Sequence, residues 1–174
     1  MLLVVDNGSI YTPNLTTFLQ SNQIPFDVYK EDNYTDYDSY ILSGRKRNDK
    51  SQNSLNSKII QHAISEKKSL LGICYGAEIL ALTVGGTIKK TTPRKGPEIV
   101  LVTKENPLCS NKLEVFESHS YEIARIPNCI SKIGESEYCA NELIQYENLN
   151  IFGTQFHPEM SKDGKKLIEN FCRL

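Results

Sequence analysis

The feature that most constrains the fold is a short apolar run that ends in a glycine-flanked cysteine. Residues 69–73 have the sequence Ser-Leu-Leu-Gly-Ile, which predicts a buried strand, and residues 77–84 have the composition of a helix. Cys74 stands between the two, and its neighbours Gly72 and Gly76 permit a sharp turn and close packing. Such a turn projects a side chain above the carboxyl edge of a sheet, where a helix N-terminus stabilises a thiolate. Cys74 is therefore a candidate nucleophile, and the alternative interpretation is a buried structural cysteine.

A second candidate strand, residues 150–152, leads into the sequence Gly-Thr-Gln-Phe-His-Pro-Glu at residues 153–159. A thiol that attacks a carbon needs a base to take its proton, and the base needs a group that orients it. His157 and Glu159 can supply both functions. Pro158 lies between them and predicts a turn, so both side chains can leave the strand end together.

Apolar runs alternate with helical stretches in the first part of the chain. Strands are predicted at residues 2–5, 26–29 and 40–42, with helices at 15–20 and 58–66. This alternation predicts one α/β domain over residues 1–174, with an open, mostly parallel sheet and helices on both faces. Ligands of such sheets bind beyond the carboxyl ends of the strands. After residue 88, short strands at 99–102, 113–116, 130–133 and 143–146 predict antiparallel pairing at one edge, and a helix is predicted at 163–174.

Composition narrows the classes of function. The formal net charge of -1 and the lack of a long basic run give no indication of a nucleic-acid partner. No apolar stretch is long enough to cross a membrane, and the N-terminal residues lack the charged region of a signal peptide. The five cysteines form no Cys-x-x-Cys pair, which argues against a disulfide framework or a zinc site. We therefore expect a cytoplasmic protein with neither a membrane nor a nucleic-acid partner.

The motifs at residues 72–76 and 155–159 together resemble the two signatures of class I glutamine amidotransferase domains. The resemblance covers nearly the whole chain and implies a flavodoxin-like fold. It also implies a catalytic triad in which Cys74 is the nucleophile, His157 the base and acid, and Glu159 the group that orients the histidine. The implied reaction is hydrolysis of L-glutamine through a γ-glutamyl thioester, with release of ammonia.

Acyl transfer also needs an oxyanion hole, which backbone N–H groups commonly form. The resemblance implies that Tyr75 supplies one donor and that Gly44, in the loop after the third strand, supplies the second. Residues 43–44 resemble the start of the family's Ser-Gly-Gly-Pro loop, but Arg45 and Lys46 replace its second glycine and its proline. A conformation that glycine adopts freely costs another residue on the order of 1 kcal/mol or more. We therefore expect low glutaminase activity from the isolated chain and stimulation by a partner.

Three further residues are candidates for substrate binding. Glu78 stands where the family usually has a glutamine that helps to hold the substrate. A carboxylate there could pair with the substrate's ammonium group, and it would oppose ionisation of Cys74 if it pointed inward. The alternative is a glutamate on the outer face of the helix. Residues 117–122 resemble a Ser-His loop of the family, which implies that Ser120 and Tyr121 help to hold the α-amino and α-carboxylate groups, whereas His119 could be a structural histidine.

Two branches of the family share features with the N-terminal region. Asp-Asn-Gly at residues 6–8 with Tyr11 resembles the opening of GMP synthase glutaminase subunits. Thr12, Asn14 and Leu15 also resemble the opening of anthranilate synthase glutaminases, but the Pro-Gly-Pro-Gly loop of that branch is absent, so the GMP synthase branch is favoured over the anthranilate and aminodeoxychorismate branch. This resemblance implies a separate ammonia-using synthetase, which would hold ATP and magnesium, and no cofactor or metal in this chain. Two other possibilities are a weakly active regulatory or binding protein of the same fold and a stand-alone hydrolase of γ-glutamyl compounds.

Overall fold

The computed structural model describes residues 1–30 and 33–174, which form a sheet with helices against it. Its strands are β1 (Leu2–Asn7), β2 (Phe26–Val28), β3 (Ser39–Arg45), β4 (Ser69–Ile73), β5 (Thr87–Val102), β6 (Lys112–Arg125), β7 (Ile130–Glu135), β8 (Leu143–Tyr146) and β9 (Ile151–Thr154). Its helices are α1 (Thr12–Ser21), α2 (Lys50–Ser65), α3 (Tyr75–Thr83) and α4 (Lys162–Phe171). Single 3₁₀ turns occur at Tyr34–Asp36 and Pro158–Met160.

All of these strands belong to one sheet, in the order β2-β1-β3-β4-β9-β8-β7-β5-β6. The neighbours from β2 to β9 pair in parallel, and every pair from β9 to β6 is antiparallel. The predicted fold class is therefore confirmed: an open, mostly parallel α/β sheet with antiparallel strands added at one edge. Because β4 and β9 are parallel neighbours, their carboxyl ends meet at one point on the edge of the sheet.

The central strands are apolar on both faces because helices cover both. Leu2 and Val4 of β1 face one cluster, which contains buried residues of α1 and α4. Leu3 and Val5 face the opposite cluster, which contains buried residues of α2 and α3. Successive side chains of a strand point to opposite faces, so an unbroken apolar run is what such a two-sided core requires.

The antiparallel region differs from the sequence prediction in one important respect. The short strands expected at residues 99–102 and 113–116 are parts of β5 and β6, which pair over most of their length as one long hairpin. Much of β5 is exposed and polar, and it contains Pro93, Gly96 and Pro97, so it lacks the apolar alternation that indicates a strand. A register shift between Lys90 and Arg94 interrupts the pairing, and it lets the proline-containing segment join the strand.

Two helices begin earlier than their apolar residues suggest. Helix α2 includes the mostly polar residues 50–57, because Asp49 caps its N-terminus by accepting a hydrogen bond from the Ser51 amide at 2.7 Å. Helix α3 begins at Tyr75, directly after Cys74, rather than at residue 77. This earlier start matters for function, since it places the first turn of α3 beside the candidate nucleophile.

Candidate active site

Cys74 occupies a strained turn between β4 and α3. Its backbone has φ 50° and ψ −102°, and its carbonyl accepts the first helical hydrogen bond, from the Glu78 amide at 2.9 Å. The glycines on each side are required by packing. A Cβ on Gly72 would lie 2.4 Å from the Gly76 backbone, and one on Gly76 would lie 2.3 Å from the Leu42 carbonyl oxygen. The sequence Gly-x-Cys-x-Gly therefore folds as the sharp elbow that it predicts.

The second motif lies at the end of the neighbouring strand. Thr154, the last residue of β9, accepts a hydrogen bond from the Cys74 amide at 2.6 Å, which ties the elbow to the start of the His-Pro-Glu segment. His157 and Glu159 are both buried, and His157 Nδ1 lies 2.8 Å from Glu159 Oε1. When Nδ1 carries the proton that binds this carboxylate, Nε2 is the nitrogen that can accept another proton. The pair has the geometry of a base and its orienting group.

The histidine ring is fixed from two further sides. The Tyr11 ring packs edge-on against it, with ring centroids 4.7 Å apart. A Cβ built on Gly44 would lie 2.9 Å from His157 Cε1, so only glycine leaves room for the ring at that point. Of the two residues predicted to form the oxyanion hole, Gly44 therefore lies against the His157 ring, whereas Tyr75 follows Cys74 directly.

A cavity of about 480 Å³ opens in front of the elbow. Cys74 and Tyr75 line it, and so do all three residues predicted to bind substrate: Glu78, Ser120 and Tyr121. Ser120 and Tyr121 lie within β6 rather than in the predicted loop, because the β5–β6 hairpin runs past the mouth of the cavity. Arg45, which departs from the family pattern, lines the same cavity.

Glu78 points inward, so the alternative of a glutamate on the outer face of the helix is wrong. Only 7% of its surface is exposed, and its Oε1 accepts a hydrogen bond from Gln155 Nε2 at 3.1 Å. Gln155 in turn accepts a hydrogen bond from the Ile123 amide through Oε1, which fixes the orientation of its own amide. Burial raises the pKa of Glu78 above its usual value.

The electrostatic environment of Cys74 differs from the sequence expectation of a stabilised thiolate. Burial, and then the negative charges of Glu78, Glu159 and Glu117, raise the pKa of the Cys74 thiol well above its ordinary value. These effects oppose the helix N-terminus, whose influence is limited to the first turn. Cys74 is therefore a thiol at rest, and its proton has to leave through a neighbouring base when the sulfur reacts.

Several residues that support the site gave no clear signal in the sequence. Gln155 holds Glu78, and Asn53 accepts a hydrogen bond from the Tyr75 hydroxyl at 2.8 Å. The Tyr11 hydroxyl reaches Ser118 Oγ at 3.1 Å, and a Glu117 carboxylate oxygen lies 2.8 Å from His119 Nε2. Gln155 is the most detectable of these, because it belongs to the motif that contains the histidine. The others approach the site from distant parts of the chain.

Two structural features bear on other classes of function. Within residues 1–30 and 33–174, no group of three or more His, Cys, Asp or Glu side chains is arranged to hold a metal ion. In the same part of the chain, no helix is long and apolar enough to cross a membrane.

Comparison with known proteins gives a consistent result. Residues 3–174 match the family described as "Glutamine amidotransferase class-I". A glutamine-hydrolysing GMP synthase subunit from Methanococcus vannielii is 26% identical over all of this chain and 96% of its own length. The glutamine-hydrolysing GMP synthase of Aliivibrio fischeri is 30% identical over 98% of this chain, which spans only 35% of that longer protein.

Solved structures agree with these sequence matches. A crystal structure from Thermoplasma acidophilum, provisionally assigned to a GMP synthase subunit, superposes with a TM-score of 0.86 at 25% identity and covers 99% of this chain. A glutamine amidotransferase from Thermotoga maritima has the same fold, with a TM-score of 0.78 at 19% identity. The predicted likeness to GMP synthase glutaminase subunits is thus confirmed, and the chain belongs to the class I glutamine amidotransferase family.

Proposed function

We propose that this chain hydrolyses L-glutamine and delivers ammonia to a separate synthetase, GMP synthase. The observation that carries the proposal is the meeting of two motifs at adjacent strand ends. The Cys74 elbow is hydrogen-bonded to Thr154, and the buried His157–Glu159 pair follows three residues later in the chain. A thiol, a base and an orienting carboxylate are the groups that hydrolysis through a thioester requires.

The first half of the reaction forms the thioester. His157 takes the proton of the Cys74 thiol, and the sulfur attacks the side-chain amide carbon of glutamine. The amide oxygen becomes an oxyanion, which the backbone N–H groups of Tyr75 and Gly44 stabilise. Protonated His157 then gives its proton to the departing nitrogen, the C–N bond breaks, and ammonia leaves.

The second half regenerates the enzyme. A water molecule gives a proton to His157 and attacks the thioester carbon, and the same N–H groups stabilise the second oxyanion. The C–S bond breaks, Cys74 recovers its proton from His157, and glutamate is released. Glu159 stabilises the imidazolium in both halves, because a carboxylate at 2.8 Å from Nδ1 favours the charged ring.

The relatives support the proposal of a synthetase partner. The Methanococcus relative, of nearly the same length as this chain, is named as one subunit of GMP synthase, and in the longer Aliivibrio relative the matching region is about a third of one chain. We propose that the partner synthetase binds ATP and magnesium and that this chain needs neither. We also propose a cytoplasmic location, because all five cysteines are free, and a reducing compartment keeps thiols in that state.

One observation favours a second candidate, a weakly active regulatory protein of the same fold. The resting Cys74 thiol lies among three carboxylates that oppose its ionisation. Labelling with an electrophilic glutamine analogue separates the two candidates, because such a reagent modifies a cysteine that can be activated. The synthetase and its nucleotide substrate should be present, so that a site completed by docking is also detected.

The test compares the wild-type chain with Cys74→Ala, His157→Ala and Glu159→Gln, and uses Cys129→Ala as the matched cysteine control. We expect one adduct, on Cys74, and ammonia release that Cys74→Ala and His157→Ala abolish. Glu159→Gln should retain measurable turnover, and Cys129→Ala should behave as wild type. An adduct on another cysteine, or wild-type rates from His157→Ala, would contradict the proposed triad. An unreactive Cys74 with no ammonia release would favour the regulatory protein.

A further inference from the structure

Two ionisable residues of opposite sign lie in one cavity with Cys74. Arg45 is the last residue of β3, and Glu78 lies in the first turn of α3. The positive charge of Arg45 lowers the pKa of Glu78, against the larger effect of burial, so the two side chains interact within the cavity.

Arg45 is held in a defined position inside the cavity. Its guanidinium carbon lies 3.8 Å from the centroid of the Tyr75 ring, and its Nη1 donates a hydrogen bond to Asn53 Oδ1 at 2.6 Å. The Tyr75 hydroxyl donates to the same Asn53 oxygen at 2.8 Å, so ring and guanidinium are fixed by one acceptor. The bond to Asn53 uses one of the five N–H donors of the guanidinium, whose planar fork fits a carboxylate.

Glu78 is held beside it, on the same helix as Tyr75. Glu78 follows Tyr75 by three residues, a spacing that places two side chains on one face of a helix. Gln155 binds Glu78 Oε1 at 3.1 Å and so restricts the carboxylate, while Glu78 still lines the cavity. Two positioned groups therefore meet at the first turn of α3: the Arg45 guanidinium over the Tyr75 ring, and the Glu78 carboxyl group three residues after Tyr75.

The proposed substrate has the complementary pattern of charges. When the side-chain amide of glutamine is at Cys74, its other end carries an α-ammonium and an α-carboxylate group. We infer that Arg45 binds the α-carboxylate and Glu78 binds the α-ammonium, so that together they select an amino-acid zwitterion. This inference rests on the proposed glutaminase function, and it makes Arg45 a specificity residue that family resemblance does not predict.

Matched substrates test the two halves separately. The probes are L-glutamine, glutaramate, which lacks the α-amino group, and 4-aminobutanamide, which lacks the α-carboxylate. The variants are Glu78→Met and Arg45→Met, with Lys50→Met as the control for loss of an exposed cation that does not line the cavity. The measurements are kcat/KM for ammonia release with the synthetase present, and calorimetric binding of each probe in a Cys74→Ala background.

Each variant should weaken only those probes that carry the charged group which the replaced side chain is proposed to bind. The loss of one charge-assisted contact corresponds to roughly 10- to 100-fold in binding. Glu78→Met should therefore lower kcat/KM for L-glutamine by about 10-fold or more, and change that for glutaramate less than about 3-fold. Arg45→Met should also lower kcat/KM for L-glutamine by about 10-fold or more, and change that for 4-aminobutanamide less than about 3-fold. Lys50→Met should change kcat/KM for all three probes by one common factor.

The outcomes separate this inference from the proposed function. If both variants weaken all three probes equally while L-glutamine is still hydrolysed, the zwitterion clamp is wrong and the glutaminase stands. If Cys74 is unreactive and no ammonia forms, the glutaminase proposal fails, and the binding measurements still decide whether the cavity selects a zwitterion. Arg45→Lys, which keeps the charge and loses the fork, and circular dichroism of every variant exclude misfolding as the cause of a loss.

Discussion

At the scale of single residues, three buried ionisable side chains interact at the cavity, and one of them, His119, lines it. His119 Nδ1 is 2.8 Å from the Tyr121 carbonyl oxygen, and His119 Nε2 is 2.8 Å from a Glu117 carboxylate oxygen. Burial lowers the pKa of His119, but the hydrogen bond and charge of Glu117 outweigh burial and raise the pKa overall. The neighbouring carboxylate therefore makes this buried histidine hold its proton more tightly than a free imidazole does.

Glu142 is the third of these buried groups, and it interacts with the charge of Glu117. It is 1% exposed, and its Oε1 accepts a hydrogen bond from Ser136 Oγ at 2.7 Å. Burial, followed by the charge of Glu117, raises the pKa of Glu142 to about 9. Glu142 is therefore protonated at neutral pH, and a neutral amide can replace it with little change in shape or charge.

Glu142→Gln should make the protein more stable, by an amount that grows with pH. The folded-state pKa of Glu142 lies above the unfolded value of about 4.3, so the folded state holds a proton that the unfolded state has released. Stability is consequently lost as pH rises from that unfolded value towards about 9. Glutamine avoids this loss, and we expect a gain of more than about 1 kcal/mol at pH 8.5. Urea unfolding at pH 5.5, 7 and 8.5 measures it, with exposed Glu137→Gln as control, and a pH-independent difference would contradict the assignment.

At the scale of elements, helix α4 sets the position of the His-Pro-Glu turn. Ser161 caps the helix by accepting a hydrogen bond from the Gly164 amide at 3.0 Å. A Cβ on Gly164 would lie 2.3 Å from the carbonyl oxygen of Pro158 and 2.4 Å from its Cα. The first turn of α4 is therefore pressed directly onto the residue between His157 and Glu159.

Gly164→Ala tests this contact, since the contact and helix propensity act in opposite directions. Propensity alone favours alanine over glycine by about 1 kcal/mol. Overpacking against a backbone costs typically about 1–3 kcal/mol, so we expect net destabilisation. A displacement of the turn on the order of 1 Å would also lower kcat by roughly 100-fold. Thermal unfolding and ammonia release measure the two effects, and Lys166→Ala on the exposed side of α4 is the control. A more stable, fully active Gly164→Ala protein would show that the turn does not depend on α4.

At the scale of the whole molecule, the parallel half was predictable and the antiparallel half was less so. The apolar runs at residues 2–5 and 69–73 locate β1 and β4 because strands buried on both faces must be apolar throughout. The length of β5 was not predictable from the sequence. Its pairing with β6 depends on backbone hydrogen bonds, and these form equally well with many different exposed side chains.

The candidate site was likewise predictable from the sequence only in part. Both motifs could be recognised in the sequence, because their glycines and their proline determine the conformation of the adjacent backbone. Such local effects can be deduced from neighbouring residues. The inward orientation of Glu78 and the burial of Glu117 and Glu142 were not visible, since glutamates are almost always exposed unless paired. Their partners come from distant segments, and the raised pKa of Cys74 follows from those contacts.

The activity of the whole molecule should depend on its partner. Arg45 and Lys46 replace the glycine and proline of the family's oxyanion loop, and Lys46 is exposed beside the cavity, where a docking protein can reach it. We expect slow ammonia release from the isolated chain at saturating glutamine. One oxyanion donor is worth roughly 100- to 1000-fold in rate, so stimulation of that order by the synthetase and its nucleotide substrate would indicate a hole completed on docking. The complex with Cys74→Ala gives the background rate, and full activity of the isolated chain would contradict the prediction.

The strained backbone at Cys74 also affects how this position can change in evolution. Cys74 has φ 50° and ψ −102°, a conformation that glycine adopts readily and that costs other residues about 1–3 kcal/mol. Cys74→Gly would relieve that cost, and it would also remove the buried contacts that the Cys74 side chain makes in the core. In a gene copy that no longer needs a thiol, the backbone would favour that change, whereas the lost core contacts and the entropy of glycine would oppose it. A non-glycine residue in this conformation carries a stability cost, as expected of a position kept for its chemistry.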